Sequence, residues 1–357
     1  MTEHADIVIV GGGQAGLSAT WAAQRQGLRP LLLTASEEPV GSWPHYYDSL
    51  TLFSPARYSE LPGRRFGGDR DRYPTRDEVV DYLRAYAADL DADIRCGERV
   101  ERVHADGDDL LVESASGLTV RSPLVIAATG SFGSPHRPAL AGLDTFNGSV
   151  IHASEYRTPT EYTGQRVVVV GGGNTAVQIA VELAAVADVT LTTRSPLKFS
   201  PQRPFGRDLH WWLTNTGLDT APIGRWLRGR PTPVLDDGRY RAAIAAGRPD
   251  HRPLLLGLDG HDVVILATGY RPHLPYLAGT GALDVHGEPM QRAGVSTTVR
   301  GLGYVGLEYQ RSIASATVRG GARDAARVIR RLRRAAAHRS VSSALPRLVA
   351  TWASARG

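Results

Sequence analysis

The chain has 357 residues, 42% of them hydrophobic and 22% charged, an ordinary globular balance that excludes a disordered or fibrous protein and suggests two or three domains. Its formal charge is +5, from 41 basic and 36 acidic residues, and Lys198 is the one lysine among the basic ones. No run of about 18 uncharged apolar residues could span a membrane, the first residues lack the basic n-region of a secretory signal, and the single cysteine, Cys96, allows no intramolecular disulfide, redox dithiol or structural zinc site. A reducing cytoplasm and no metal are expected.

The first predicted element is a strand, Ile7-Val8-Ile9-Val10, running into Gly11-Gly12-Gly13-Gln14-Ala15-Gly16. This is G-x-G-x-x-G at Gly11, Gly13 and Gly16. The first glycine permits the tight turn, the second lets backbone approach a pyrophosphate, and the third keeps helix against strand. Free N–H groups at the start of the following helix, predicted over 15–26, would hold the phosphates. A second strand follows over 30–33. An acid commonly ends that strand and holds the ribose hydroxyls. Here the position is Thr34, so either its hydroxyl or one of Glu37 and Glu38 serves. Further on, Thr75-Arg76-Asp77-Glu78 is a capping box that starts a helix over 78–88. The stretch 124–130, LVIAATG, reads as a buried strand ending at Thr129 and Gly130.

The opening pattern then recurs. Residues 168–176 read VVVGGGNTA where 8–16 read VIVGGGQAG, giving G-x-G-x-x-A at Gly171, Gly173 and Ala176. A helix over 175–187 and a strand over 189–192 complete a second unit, so two dinucleotide sites are expected. At the end of this strand stand Thr193, Arg194 and Ser195, with Lys198 beyond and no acid. Arg194 and Ser195 would welcome a 2′-phosphate, which points to NADPH; the bland reading of Arg194 is a solvated loop residue. The Ala-Thr-Gly ending recurs as well, in VVILATGY at 263–270, with Thr268 and Gly269. Between lies an insert, 196–253, rich in proline and tryptophan, whose Trp211-Trp212 reads as a packing pair or as pocket lining. The segment 319–357 holds ten arginines against Asp324 alone, a local charge of +9. It reads most simply as a charged helix face. Nucleic-acid binding is disfavoured by the lack of interleaved aromatics, and Trp352 leaves peripheral membrane contact as a minor alternative.

Between the first Ala-Thr-Gly and the second glycine loop runs Phe146-Asn147-Gly148-Ser149-Val150-Ile151-His152-Ala153-Ser154-Glu155-Tyr156. It matches the pattern F-x-G-x-x-x-H-x-x-x-Y/F. With Gly41-Ser42-Trp43, Tyr73-Pro74-Thr75 and the run 301–316, the chain resembles the class B flavin monooxygenases over roughly residues 6–335. The resemblance implies an α/β fold of two Rossmann-like dinucleotide-binding domains, with an NADPH domain (159–272) inserted in a discontinuous FAD domain (1–158 and 273–357). It implies NADPH and FAD as cofactors, and transfer of one oxygen of O₂ to a small organic substrate through a flavin C4a-(hydro)peroxide. A reductase or oxidase that never oxygenates a substrate is the alternative.

Carried onto this sequence, cofactor binding falls to Gly11, Gly13, Gly16, Thr34, Gly41, Ser42, Trp43, Thr129, Gly130, Gly171, Gly173, Ala176, Arg194, Ser195, Thr268, Gly269 and Ser315. Trp43 is expected near the flavin. Ser315 is expected at the N-terminus of a last helix, 315–337, aimed at the flavin pyrimidine edge. His152 reads better as a positioning group for the linker than as a catalytic base, and Phe146 and Tyr156 also read as packing aromatics. Two features depart from the family. Phe53, in Leu50-Thr51-Leu52-Phe53, stands where relatives carry an asparagine facing the flavin, and the stretch 252–263 is short. Phe53 and His152 are the only catalytic candidates. Expected partners are a small-molecule substrate and O₂, with no nucleic acid and no stable membrane insertion; a homodimer stays open.

Overall fold

The computed structural model describes residues 2–230, 232–253, 257, 258 and 260–336. Two parallel sheets organise the chain. The first has seven strands in the order Gln291–Arg292, Val295–Ser296, Leu302–Tyr304, Val125–Ala127, Ile7–Val10, Pro30–Leu33, Asp93–Arg95; all but the pairings made by 291–296 are parallel. The second has five parallel strands in the order Asp250–Pro253, Asp188–Thr193, Arg166–Val170, Val263–Leu266, Ser149–His152.

Continuous apolar runs make these strands because both faces of a parallel sheet are covered. Ile7 and Ile9 enter the cluster that holds helix Gln14–Gln24, while Val8 and Val10 join Leu31, Leu33 and Tyr304 on the other face. Val167 and Val169 pack under helix Asn174–Leu183, while Val168 and Val170 meet Val264 and Leu266. The strand period of two distributes one four-residue run between two cores. Helix Arg76–Ala88 carries its capping box: Thr75 Oγ1 accepts from the Glu78 N–H, and the Glu78 carboxylate accepts from the Thr75 N–H at 2.8 Å.

Two expectations change. Strand Ser149–His152 belongs to the second sheet, ten residues ahead of the expected boundary at 159, because Val150 and Ile151 register against Val264 and Ile265. The last helix begins at 321, not at 315. Residues 311–320 fold back as turns, so tightly that a Cβ on Gly320 would lie 1.8 Å from the Ala314 carbonyl oxygen. Within the helix, Val328, Ile329 and Leu332 are buried, whereas Arg323, Arg327, Arg330, Arg331, Arg333 and Arg334 are exposed, as a charged face requires. Residues 337–357, including Trp352, lie outside the described residues. Among the described residues no helix is long and apolar enough to cross a membrane, and no group of three or more His, Cys, Asp or Glu could hold a metal ion.

Candidate functional site

The two glycine loops have the same construction. Gly11 (φ +111°) donates its N–H to the Leu33 carbonyl at 2.8 Å, and a Cβ there would meet the Ala128 oxygen at 2.6 Å. Gly171 (φ +149°) donates to the Thr192 carbonyl at 3.0 Å, and its Cβ would meet the Ala267 oxygen at 2.2 Å. Gly16 passes so close to the turn that a Cβ would lie 1.8 Å from the Gly11 oxygen, while Ala176, fully buried, fits the corresponding place in the second loop. Gly12, missed from the sequence, is as constrained: its Cβ would meet the Thr34 side chain at 2.8 Å. Gly13 and Gly173 are the N-caps of their helices, and neither helix start has a side-chain cap. The N–H groups of each first turn are thus left for a ligand, the cradle a pyrophosphate fits.

Around the first loop, Gly41 (φ +63°) packs its Cα against Gly13, and the chain turns through Ser42 so that Trp43 Nε1–H donates to Gln14 Oε1 at 2.8 Å. Trp43 therefore lies beside the first glycine loop. Thr34 is buried with Oγ1 2.9 Å from Ser36 Oγ. Of the two later glutamates, Glu38 is held by two bonds from the Arg84 guanidinium at 2.8 and 3.0 Å, which engages it elsewhere.

Around the second loop, Thr193 is buried and its Oγ1 lies 3.0 Å from His251 Nε2. Arg194, Ser195 and Lys198 are exposed beyond it, and neither cation forms an ion pair among the described residues.

The Ala-Thr-Gly turns are pinned crosswise. Thr129 Oγ1 donates to the His273 carbonyl at 2.7 Å, and the His273 N–H returns to Gly130 at 3.0 Å. Thr268 Oγ1 donates to the His136 carbonyl, and the His136 N–H reaches Gly269 at 2.9 Å. Segments 129–136 and 268–273 are thus the crossing between the two sheets, and Thr129 and Thr268 spend their hydroxyls there.

His152 is fully buried at this crossing. Its Nδ1 accepts from the Ser154 N–H at 3.1 Å and lies 3.0 Å from Ser154 Oγ; Nε2 donates to Gly269 O at 3.1 Å. With both nitrogens used, His152 positions. Tyr156, buried, donates to Glu182 at 2.9 Å, and burial raises its pKa. The Phe146 ring lies over Gly148, where a Cβ would meet it at 2.4 Å. A chain of aromatic contacts runs from beside the first glycine loop to the crossing: Trp43 to Tyr46 (5.6 Å), Tyr46 to Phe132 (4.8 Å), Phe132 to Tyr270 (5.4 Å), and Tyr270 edge-on to His152 (5.0 Å). Tyr46, Phe132 and Tyr270 were missed, although Tyr270 directly follows the second Ala-Thr-Gly turn and Phe132 stands two residues after the first.

Three candidates lie apart from this assembly. Phe53 is 42% exposed and stacks on His210 at 5.9 Å. Trp211 and Trp212 meet edge to face at 4.7 Å, with Trp212 Nε1 donating to the Pro204 carbonyl; Trp211 also lines a cavity of about 270 Å³ with Tyr58, Arg203 and Asp208. Ser315 corrects the expected role at a helix N-terminus. Its Oγ accepts the N–H groups of Arg311 (3.2 Å) and Ser312 (3.0 Å) and donates to Asp324 at 2.6 Å, so the hydroxyl is consumed inside the turn.

Residues 8–215 match the family model described as pyridine nucleotide-disulphide oxidoreductase. A flavin-containing monooxygenase from Stenotrophomonas maltophilia is 30% identical, over 94% of this chain and 100% of its own, with a TM-score of 0.81. A CzcO-like oxidoreductase of Geobacillus kaustophilus is 30% identical over 91% of this chain and 97% of that one. The indole-3-pyruvate monooxygenase YUCCA1 of Oryza sativa is 30% identical over 75% of this chain and 77% of that one. The chain belongs to the pyridine nucleotide-disulphide oxidoreductase family and, within it, to the class B flavin monooxygenases. It is an oxidoreductase of a family that uses FAD and NADPH.

Proposed function

We propose that this protein passes hydride from NADPH to FAD and delivers one oxygen atom of O₂ to a small organic substrate. The observation that carries this reading is the pair of uncapped glycine loops, each opening a helix, joined by the crossed Ala-Thr-Gly turns. In it, the described residues up to 148 and from 273 to 336 form the FAD part, and 149–272, with strand Ser149–His152 in the second sheet, the NADPH part.

FAD, when bound, supplies the redox and oxygen chemistry; the chain supplies orientation and a dry cleft. Gly11, Gly13 and Gly16 admit the FAD pyrophosphate, and Gly41, Ser42 and Trp43 border its path. Gly171, Gly173 and Ala176 admit the NADPH pyrophosphate. Arg194 and Ser195, with Lys198 near, take the 2′-phosphate as a charge-assisted pair. His152 holds the 149–156 segment to Gly269, fixing the approach of one loop to the other. A cytoplasmic location fits the single, unpaired Cys96.

The test is purification with bound FAD, then a substrate panel under ¹⁸O₂ with product mass as the readout. Label in one product oxygen supports the reading, and a protein that neither carries nor takes up FAD overturns it. A second reading, an NADPH oxidase that releases reduced oxygen, is favoured by Phe53 in place of the relatives' asparagine. NADPH consumption with no labelled product would select it.

A further inference from the structure

A cavity of about 450 Å³ lies where three distant segments meet: the loop 57–65, the segment 214–220 of the insert, and the segment 314–323 that opens the last helix. None of its lining residues belongs to either glycine loop, to the crossed turns or to the 193–198 stretch. Its wall contains a buried ion pair. Asp219 and Arg319, with side chains 4% and 15% exposed, meet at 3.1 Å.

The pairing is one-sided. Arg319 Nε at 3.2 Å and Nη2 at 3.1 Å both reach Asp219 Oδ2, and Thr214 Oγ1 lies 3.5 Å from the same oxygen. Arg319 Nη1 donates to the Tyr58 carbonyl at 3.1 Å. Asp219 Oδ1 is buried and accepts no hydrogen bond among the described residues. An arginine fork on a carboxylate commonly uses both oxygens, and a buried acceptor without a donor is costly. Oδ1 thus lacks a donor that the surrounding side chains do not supply.

The charges around it do not balance either. Five arginines line the cavity, Arg57, Arg64, Arg65, Arg319 and Arg323, against Glu60 and Asp219. Arg57 pairs with Asp71, Arg64 with Asp89, Arg319 with Asp219, and Glu60 with Arg70. Arg65 and Arg323 are exposed and form no ion pair or side-chain hydrogen bond among the described residues. The surplus is the two positive charges of Arg65 and Arg323.

We propose that this cavity binds a small dianion that also carries a hydroxyl. The anionic oxygens pair with Arg65 and Arg323, and the hydroxyl donates to Asp219 Oδ1. The terminal torsion of aspartate is soft, so Oδ1 turns toward the bound hydroxyl at little cost. Hydrogen phosphate and a hydroxy-dicarboxylate such as malate share this chemistry. Sulfate and succinate carry the same charge without the hydroxyl and leave Oδ1 unpaired. The site stands apart from the dinucleotide loops, and the inference does not rest on the oxygenation reading.

The test titrates the full chain, as purified, with phosphate, sulfate, malate and succinate at constant ionic strength and slightly alkaline pH, where phosphate is the dianion. Heat of binding and thermal midpoint are read, since a ligand held by three segments stabilises the folded chain. Phosphate should bind at least about tenfold more tightly than sulfate, or malate than succinate, and the tighter of phosphate and malate identifies the anion as a phosphate or a carboxylate. Arg65→Ala and Arg323→Ala, at exposed positions, should each weaken binding about tenfold or more. Asp219→Asn offers an amide donor in place of the carboxylate oxygen and should erase the preference for the hydroxylated member of each pair. If that variant does not fold, the two arginine variants and the sulfate and succinate comparisons decide. Arg194→Ala, beyond the second glycine loop, should leave the titration unchanged. No binding of either phosphate or malate overturns the proposal, as does equal binding of sulfate and succinate. Loss of binding in Arg194→Ala but not in Arg65→Ala or Arg323→Ala also overturns it, because the anion then sits at the dinucleotide site.

Discussion

The imidazole of His152 donates from Nε2 to the carbonyl oxygen of Gly269, 3.1 Å away, tying the fingerprint histidine to the glycine of the second Ala-Thr-Gly turn across 117 residues of sequence. Because Nδ1 accepts the Ser154 N–H, the ring must be neutral: a proton there would face another donor.

The first prediction is an acid lability. Burial lowers the His152 pKa, with Arg137 and His136 adding to it, and burial lowers His273 likewise. A histidine whose folded pKa lies below its unfolded value, about 6.5, contributes stability above that pH and loses it as pH falls through the window beneath. The thermal midpoint should drop between about pH 7 and pH 5.5, and His152→Gln should flatten the drop while lowering the midpoint at pH 7. Identical pH slopes for the two proteins would refute the neutral, buried assignment.

The second concerns nicotinamide choice. A charge-assisted arginine–phosphate contact is worth roughly 1.5–3 kcal/mol, about 10- to 100-fold in preference. NADPH should be used at least about tenfold better than NADH. Arg194→Ala should erase most of that, chiefly through KM, leaving FAD content alone. Equal kcat/KM for both nucleotides in the unaltered enzyme would mean that Arg194 only faces solvent.

The third contrasts three glycines. Gly16→Ala and Gly171→Ala drive a Cβ into backbone oxygen, at 1.8 and 2.2 Å, and should yield insoluble or FAD-free protein in the first case and a displaced second loop in the other. At Gly173 the backbone is ordinary extended chain (φ −93°, ψ −178°) and a Cβ meets nothing within 4 Å. Gly173→Ala should therefore fold with a nearly unchanged melting temperature, yet raise the KM for NADPH about tenfold because the methyl occupies the pyrophosphate approach. A normal KM there would place the nucleotide elsewhere.

The fourth is a stability prediction. Asp324, 2% exposed, accepts Arg311 Nε at 2.6 Å and Ser315 Oγ at 2.6 Å, and Arg311 Nη1 continues to the Thr220 carbonyl at 2.6 Å. Asp324→Ala leaves a largely buried guanidinium uncompensated and should cost about 3–5 kcal/mol in denaturant unfolding. A loss below about 1 kcal/mol would mean that the pair is solvated after all.

Local signals read well from the sequence. Strand 30–33, the Thr75 capping box and both glycine turns depend on neighbours a few residues apart, and each forms as the pattern requires. Ser315 was misplaced because its partner, Asp324, competes for the hydroxyl and delays the helix, which no propensity encodes. Strand Ser149–His152 looked like part of a linker; only its register against Val263–Leu266 assigns it to the second sheet. The Asp219–Arg319 pair escaped notice for the same reason, since its two residues stand 100 positions apart.

Strand order also bears on how the chain is made. Val125–Ala127 has Ile7–Val10 on one side and Leu302–Tyr304 on the other, whereas every strand of the second sheet lies between residues 149 and 266. A nascent chain leaving the ribosome therefore holds all five strands of the second sheet while the first still presents the open apolar edge of Val125–Ala127. That edge waits for nearly 180 residues of synthesis, exposed to strand addition by other chains. Chains truncated before Leu302 should accumulate as aggregates, whereas a fragment spanning about 146–270 already holds all five strands of its sheet.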